Sequence, residues 1–333
     1  MAKSRPALGG KDLLTDLPLE QLWDYAPPID EPDDFDGFWK TTLETVSRWD
    51  LDPSFETVSN PAYRLIEVAD AAFSGYGGQR IRAWFLQPAG NTERIPCVVT
   101  FRGYGGGRSF PFAHYEPCVA GFAHFVMDNR GQGSTWSPGD TPDAAAADPQ
   151  FPGFLTRGLG SPESYYYRRL ITDAVRAVQA AASHPAVDPG RIAVCGASQG
   201  GGVAMAVAAL IPQSVKLLLA DVPFLCHFRR AIEITDQPPY AEITAYLACH
   251  RDRIEQSLHT LSYFDGCCFA SRIRTPSLFS VALMDQTCPP STVFAAYNRI
   301  PARKELRVYR YNGHEGGDVF QTKERMRFLH EHL

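Results

Sequence analysis

From about residue 96 to its end, the chain alternates short, largely apolar runs with segments of helical periodicity, and this alternation limits the fold more than any other feature. Residues 97–101 and 122–127 are runs of the kind found in strands that are covered on both faces. Helical segments at 165–183 and 200–211 alternate with such strands. The sequence therefore predicts an α/β fold with a mostly parallel central sheet and helices on both faces.

The remaining segments complete this pattern. Further strands are predicted at 63–68, 80–86, 191–195, 215–220, 276–284 and 305–309. Further helices are predicted at 33–49, 292–299 and 318–333. Residues 224–272 interrupt the alternation and are predicted to form an inserted helical cap, and residues 1–50 form an N-terminal extension. The whole chain, 1–333, is otherwise predicted to be one domain.

The helix predicted in the extension has one apolar face. Phe35, Phe38 and Trp39 are spaced to lie together on it. A face of this kind must be covered, either by the chain's own sheet or by a neighbouring subunit, and the sequence does not choose between them.

The charge balance narrows the possible partners. The net charge is −5, from 32 basic and 37 acidic side chains, which argues against nucleic acid and anionic membranes as partners. The first thirty residues contain no apolar run of signal-peptide length. Eight scattered cysteines, including the adjacent Cys267 and Cys268, are interpreted as reduced thiols, so the expected location is the cytoplasm.

The strongest local signal is the segment Gly196-Ala197-Ser198-Gln199-Gly200, which follows a predicted strand and opens a helix. This setting is typical of a nucleophile elbow, in which a serine occupies a strained turn and the flanking glycines avoid contact with the neighbouring strand and helix. The pattern predicts an α/β-hydrolase fold with Ser198 as its nucleophile.

A serine hydroxyl needs a base, and in this fold the order along the chain is serine, acid, histidine. Asp285 and His314 each follow a later predicted strand, so His314 is the candidate base and Asp285 the candidate orienting acid. Asp221 and Asp265 stay open as alternatives for the acid.

The oxyanion hole requires two backbone N–H groups that point at one position. Gln199 follows the nucleophile and is expected to supply one of them. The glycine-rich loop 102–107 follows an early strand, and the N–H of Tyr104 is the preferred second donor. A phosphate-binding role for this loop is less favoured, because the Lys-Ser/Thr pair of a Walker motif is absent.

Arg130, Gly131 and Gln132 follow the next strand, and Arg130 is expected to pair with loop carboxylates rather than to act directly in catalysis. No spacing typical of metal ligands is found, and His314-Glu315 lacks the second histidine of a zinc motif, so neither a metal nor a cofactor is expected.

Three elements occur together in this chain: Arg130-Gly131-Gln132, Gly196-x-Ser198-Gln199-Gly200 and His314-Glu315. With the segment 284–298, which contains Asp285, they resemble the acetyl xylan esterase/cephalosporin-C deacetylase family, the seventh family of carbohydrate esterases. The likeness covers nearly the whole chain.

The resemblance implies an intracellular hexamer whose active sites face an internal chamber. It also implies an enzyme that removes acetyl groups from short xylo-oligosaccharides and cephalosporin C without a cofactor. It assigns the tyrosine oxyanion donor to Tyr104, and it gives Arg130, Gly131, Gln132 and Glu315 supporting roles in the site. The chain departs from the family pattern at Arg102, where a histidine is expected, and at Gly105, where an asparagine is common. These departures bear on substrate preference more than on mechanism.

Two other interpretations are weaker. A peptidase of the prolyl-oligopeptidase kind shares the elbow and the order of the acid and the histidine, but it would bring a large extra domain. A non-catalytic binding module on a hydrolase scaffold would be expected to have lost a member of the triad, and all three are present. The sequence therefore favours a serine esterase that acts on small acetylated substrates.

Overall fold

The computed structural model describes residues 16–144 and 153–333. A nine-stranded sheet with the order β1-β2-β3-β5-β4-β6-β7-β8-β9 forms its centre. The strands are β1 (Ser54–Thr57), β2 (Ile66–Ser74), β3 (Arg80–Pro88), β4 (Ile95–Phe101), β5 (Ala123–Met127), β6 (Val187–Ala197), β7 (Leu217–Asp221), β8 (Ser277–Ala282) and β9 (Lys304–Tyr309). Strands β4 to β9 run parallel, and β1 to β3 are antiparallel to their neighbours.

Eleven α-helices are seen in the part of the chain that the structure describes. They are α1 (Leu19–Leu22), α2 (Phe35–Val46), α3 (Glu116–Val119), α4 (Tyr166–Ser183), α5 (Gln199–Leu210), α6 (Phe228–Ile234), α7 (Tyr240–Cys249), α8 (Ile254–Ser262), α9 (Gly266–Ala270), α10 (Pro290–Tyr297) and α11 (Asp318–His332). None of these helices is both long and apolar enough to cross a membrane.

The sheet has two faces with different coverings. Helices α4 and α5 pack on one face and join the main core, together with side chains such as Val99, Phe125 and Val194. Helix α11 packs on the other face, where Val98, Leu219 and Leu278 belong to a smaller cluster of nine buried residues. Helices therefore lie on both faces of a mostly parallel sheet, and the predicted fold class is confirmed.

The strand predicted at 63–68 is displaced in the structure, where β2 spans Ile66–Ser74. Tyr63 lies in a turn instead, with its N–H donating to the carbonyl of Asn60 at 2.9 Å. The prediction ended this strand too early because the small apolar residues after Val68 were interpreted as a loop. In the structure, pairing with β3 buries these residues. The short strand β1 was not predicted.

Helix α2 does not pack on the sheet, and its apolar face is buried against another segment of the same chain. Its Trp39 is 1% exposed and donates from Nε1 to the carbonyl of Tyr263 at 2.9 Å, and Phe35 contacts Phe269 edge to face. The apolar face of the N-terminal helix is therefore covered by the segment between β7 and β8. The division into one domain, an extension at 1–50 and a cap at 224–272 stays a prediction.

All eight cysteines lie in the described residues, and each is a free thiol. Cys267 and Cys268 are both buried in α9. Their surroundings are those of small core residues rather than of a redox pair.

Candidate active site

Ser198 occupies the tight turn between β6 and α5. Its backbone has φ 55° and ψ −123°, and this positive φ is strained for a residue with a side chain. The turn is tight because a Cβ on Gly196 would lie 2.2 Å from the backbone of Gly200, and a Cβ on Gly200 would lie 2.1 Å from the carbonyl oxygen of Phe101. The two glycines therefore allow the close approach of strand and helix that holds the serine at the sheet edge.

The structure brings Ser198, His314 and Asp285 together at the carboxyl edge of the parallel strands. His314 Nε2 lies 3.0 Å from Ser198 Oγ, and His314 Nδ1 lies 2.9 Å from Asp285 Oδ2. The other carboxylate oxygen of Asp285 accepts from the N–H groups of Thr287 and Cys288 at 2.8 and 2.9 Å. Because Asp285 only accepts, Nδ1 of His314 carries the proton, and Nε2 is free to accept the serine proton.

The alternative acids are engaged elsewhere. Asp221 accepts from Gln321 Nε2 at 2.7 Å and pairs with Arg325 at 3.0 Å. Asp265 accepts from the N–H groups of His227, Phe228 and Cys267, which fixes the start of two helices. Asp285 is the acid that the structure places against the histidine.

The expected oxyanion donors are the N–H groups of Gln199, the residue after Ser198, and of Tyr104, which lines the same cavity as Ser198. Neither donates to another group within residues 16–144 and 153–333. Gln199 is the first residue of α5, so its N–H belongs to the end of the helix that carries partial positive charge. Both N–H groups are thus available to an oxygen that develops negative charge.

Gln132 joins the elbow to the loop of Tyr104. Its side-chain oxygen accepts from the N–H of Gly105 at 2.7 Å, and its side-chain nitrogen donates to Gln199 Oε1 at 3.0 Å and to Tyr166 at 2.9 Å. The side chain is 6% exposed. One residue therefore holds both oxyanion donors in a fixed relation.

Arg130 lies behind the site and does not reach the cavity. Its guanidinium makes a two-point ion pair with Asp173, with the Nη2–Oδ1 bond at 2.7 Å. It also lies 3.6 Å from Asp143. Gly131 supports the turn that follows, with φ 69° and an N–H that donates to Thr141. Arg130 was expected to pair with loop carboxylates, and its two-point partner Asp173 instead lies in helix α4.

Glu315 holds the histidine loop. Its carboxylate accepts from the side chain of Asn312 at 2.7 Å and from the N–H of Gly313 at 3.0 Å, and these bonds lower its pKa. It fixes the loop that carries His314 and does not contact Ser198.

Sequence reasoning missed Glu242, which α7 brings to the same loop. The Tyr104 hydroxyl donates to the Glu242 carboxylate, with oxygens at 2.6 and 2.7 Å, and accepts from the N–H of Phe154 at 2.6 Å. Gly153 makes room for this carboxylate, since a Cβ there would lie 2.0 Å from Glu242 Oε2. Burial raises the pKa of Glu242, and the bond from Tyr104 opposes this. No sequence signal pointed to Glu242, because it lies 138 residues from Tyr104 along the chain.

A cavity of about 1000 Å³ opens onto the nucleophile. Its lining includes Tyr104, Trp136, Ser198, Pro238, Glu242 and His314. Phe224 and Tyr240 do not line this cavity, since they are fully buried and pack on each other with ring centroids 4.3 Å apart.

One group of side chains in the described residues has the composition of a metal site. Ligand atoms of Asp285, Cys288 and His314 lie within 4.8 Å of one another. Asp285 and His314 are hydrogen-bonded to each other in this group, so it coincides with the triad.

Known proteins resemble this chain in both sequence and structure. The family model described as acetyl xylan esterase (AXE1) matches residues 13–332. The acetyl esterase Axe7A of Xylanibacter ruminicola is 26% identical over 86% of this chain, and the chain spans 64% of that protein's length.

Two solved structures are similar over almost all of both chains. The acetyl xylan esterase from Paenibacillus sp. R4 is 38% identical with a TM-score of 0.90, covering 95% of this chain and 100% of its own. Acetyl xylan esterase 1 from Thermoanaerobacterium sp. JW/SL YS485 is 32% identical with a TM-score of 0.87, covering 95% of this chain and 99% of its own. These matches confirm the α/β-hydrolase fold predicted from the sequence.

Proposed function

Because the chain belongs to the acetyl xylan esterase family, we propose that it is a serine esterase that removes acetyl groups from small acetylated substrates. The observation that carries the proposal is the hydrogen-bonded series from Asp285 through His314 to Ser198, at 2.9 and 3.0 Å, beside two unused N–H donors. This arrangement matches what acyl transfer through a serine requires.

In the first half of the reaction, Ser198 Oγ attacks the carbonyl carbon of the acetyl ester while His314 Nε2 takes the serine proton. The carbonyl oxygen becomes an oxyanion and accepts from the N–H groups of Gln199 and Tyr104. Each such donor contributes about 3 kcal/mol to lowering the barrier. The C–O bond to the alcohol then breaks, and His314 gives its proton to the departing alcohol oxygen, leaving acetyl-Ser198.

In the second half, water takes the position that the alcohol left. His314 Nε2 accepts a proton from the water as its oxygen attacks the acetyl carbon. The same two N–H groups hold the new oxyanion. The bond to Ser198 Oγ breaks, the serine recovers its proton from His314, and acetate leaves. Asp285 stabilises the charged imidazole in both halves.

The finer proposals concern substrate, location and assembly. Acetylated xylo-oligosaccharides are proposed as substrates because the two similar structures are acetyl xylan esterases, and cephalosporin C is proposed from the family resemblance alone. A cytoplasmic homohexamer that uses no cofactor and contacts neither nucleic acid nor membrane is also proposed, in keeping with eight free thiols. Light scattering tests the assembly, and a single monomeric peak at micromolar concentration would contradict it.

The experiment that tests the activity is acetate release from both substrates, with wild type beside Ser198→Ala. We expect release by wild type only, with the variant still folded by circular dichroism. Labelling by a fluorophosphonate provides a second measurement. A wild type that is labelled but releases no acetate would retain the serine hydrolase and reject these substrates. An unlabelled, inactive wild type would indicate a binding protein.

A further inference from the structure

Arg102 borders the same cavity as the nucleophile, and no carboxylate of residues 16–144 and 153–333 forms an ion pair with it. Its Nε donates to the carbonyl of Gly107 at 3.0 Å and its Nη2 to Ser137 at 3.4 Å. Nη1 has no acceptor in the part of the chain that the structure describes. The guanidinium stacks on Trp136, which is 56% exposed and also lines the cavity.

The nearby charges do not neutralise Arg102. Burial lowers the pKa of Arg102 to about 10, opposed by the charge of Asp128, so the side chain stays cationic at neutral pH. The Asp128 oxygens already accept from the backbone N–H groups of Arg108, Asp140 and Thr141. The neighbouring His114 is uncharged at neutral pH, since burial first and then the charge of Arg102 lower its pKa to about 4.

The other charged groups that line the cavity are engaged or lie apart from Arg102. Arg325 is paired with Asp221, Glu242 with the Tyr104 hydroxyl, and Glu315 with its own loop. Glu116 is exposed, and its charge acts on Arg325 rather than on Arg102. Among the described residues that line this cavity, Arg102 is therefore the cation that is available to a ligand.

The position of Arg102 relates it to the alcohol part of the ester. Phe101 is the register partner of Gly196, so Arg102 follows β4 beside Ala197, directly before the nucleophile. The alcohol must lie next to His314, because His314 returns the proton to it. Arg102, Ala197 and His314 all line the cavity, whose volume of about 1000 Å³ holds a ligand of the size of a small oligosaccharide.

We propose that Arg102 forms a carboxylate subsite for the alcohol part of the substrate, so that the enzyme prefers acetyl esters of hydroxy acids over neutral esters of equal size. This inference rests on the proposed esterase function. A guanidinium with a free N–H edge binds a carboxylate through charge-assisted hydrogen bonds, which are stronger than neutral ones.

The test compares 3-acetoxybenzoate with 3-acetoxybenzamide, which differ in charge and little in size. The measurement is the ratio of their kcat/KM values. We expect Arg102→Gln to lower this ratio about tenfold or more, which is the usual loss for a hydrogen bond to a charged group. Arg102→Lys keeps the charge and should retain part of the ratio. Rising salt should lower the ratio in wild type more than in Arg102→Gln.

Arg80→Gln is the matched control, because it removes the same charge from an arginine that pairs with Asp52 and does not line the cavity. Its ratio should equal that of wild type. Equal ratios in wild type and Arg102→Gln, with the benzamide cleaved normally, would overturn the subsite alone. Cleavage of neither ester by wild type would overturn the esterase function and the subsite with it.

Two further substrates distinguish the source of the carboxylate. Acetylated xylo-oligosaccharides that carry a glucuronic acid branch present a sugar acid, and cephalosporin C presents the carboxylate of its ring system. The acid that Arg102 recognises is the one whose turnover falls in Arg102→Gln relative to neutral acetylated xylobiose. An equal loss for all three substrates would contradict a carboxylate subsite.

Discussion

The two faces of the central sheet have different packing and different roles. On the face of α5, every residue from Gln199 to Ala209 is buried, and the close packing depends on glycines that touch the neighbouring backbone. On the face of α11, the buried apolar cluster is small, and His114, His124 and Arg325 border an open cavity. The first face positions the nucleophile, and the second leaves space for the substrate.

The difference shows how one strand can serve both faces. Side chains alternate along β6, so Val194 packs in the main core while Cys195 faces the cavity side. Ser198 follows where the strand ends, with its backbone N–H bound to the carbonyl of Asp221 at 2.9 Å. Tight packing on one side therefore fixes a reactive side chain that the other side exposes to substrate.

The largest expected effect separates the catalytic acid from the acid on the α11 face. We expect Asp285→Asn to lower kcat by about 10⁴-fold, because an asparagine there holds His314 in the wrong tautomer. Asp221→Asn should retain most of the rate, since Asp221 contacts Arg325 and Gln321 rather than His314. The measurement is kcat for a neutral acetyl ester. A greater loss in Asp221→Asn than in Asp285→Asn would reverse the assignment.

A substitution in α5 is expected to disrupt the close packing on the α5 face of the sheet. Gly200→Ala places a Cβ 2.1 Å from the carbonyl oxygen of Phe101, and we expect it to lower the free energy of unfolding by about 1–3 kcal/mol. Gly37→Ala is the matched control, because a Cβ there meets nothing within 4 Å on an exposed helix position. It should stabilise the protein by about 0.5–1 kcal/mol. Urea unfolding measures both, and equal effects of the two substitutions would contradict the packing argument.

At the edge of the cavity, Glu242 is expected to position the Tyr104 N–H through the tyrosine hydroxyl. Glu242→Gln should lower kcat about tenfold with little change in KM, because the charged hydrogen bond is replaced by a weaker neutral one. Tyr104→Phe removes the same bond from the other side. The double variant should therefore be no slower than the slower single variant. Losses that multiply in the double variant would show that Glu242 acts by another route.

On the α11 face of the sheet, buried histidines should make the free energy of unfolding decrease in acid. Burial lowers the pKa of His124 to about 3, from the usual 6.5. As the pH falls below 6.5, this histidine is therefore protonated in the unfolded chain but stays neutral in the folded protein. The free energy of unfolding decreases until the pH reaches the pKa of His124 in the folded protein. His124→Gln should reduce the loss between pH 7 and 5 by about 2 kcal/mol relative to wild type.

The exposed His259 gives the control for this measurement, and His259→Gln should lose as much stability as wild type between the two pH values. Urea unfolding at each pH is the measurement. A loss in His124→Gln equal to that of wild type would mean that His124 does not carry the acid sensitivity.

The fold was predictable because its parallel strands are buried on both faces and its helices keep a regular period. The glycines around Ser198 and the order of Asp285 and His314 predicted residues that the structure places together, since the topology brings strand ends to one edge. The prediction ended β2 at residue 68, whereas the strand continues to Ser74, because small residues such as Ala69 and Ala71 carry little periodic signal.

Other features depend on contacts between distant segments and could not be predicted from local sequence. Glu242 contacts Tyr104 although 138 residues separate them along the chain. Helix α2 packs on the segment between β7 and β8 through Trp39 and Tyr263, which are 224 residues apart. The resemblance identified Arg102 as unusual, but only the folded structure shows that no carboxylate of the described residues pairs with it.

The most direct test of the central claim is to trap the reaction on the protein. Wild type and Ser198→Ala are mixed with an acetyl ester, quenched in acid and digested for peptide mass spectrometry. We expect an acetyl group on Ser198 in wild type and none on the corresponding peptide of Ser198→Ala, together with lost turnover. Full turnover by Ser198→Ala, or an acetyl group consistently found on another residue, would contradict it.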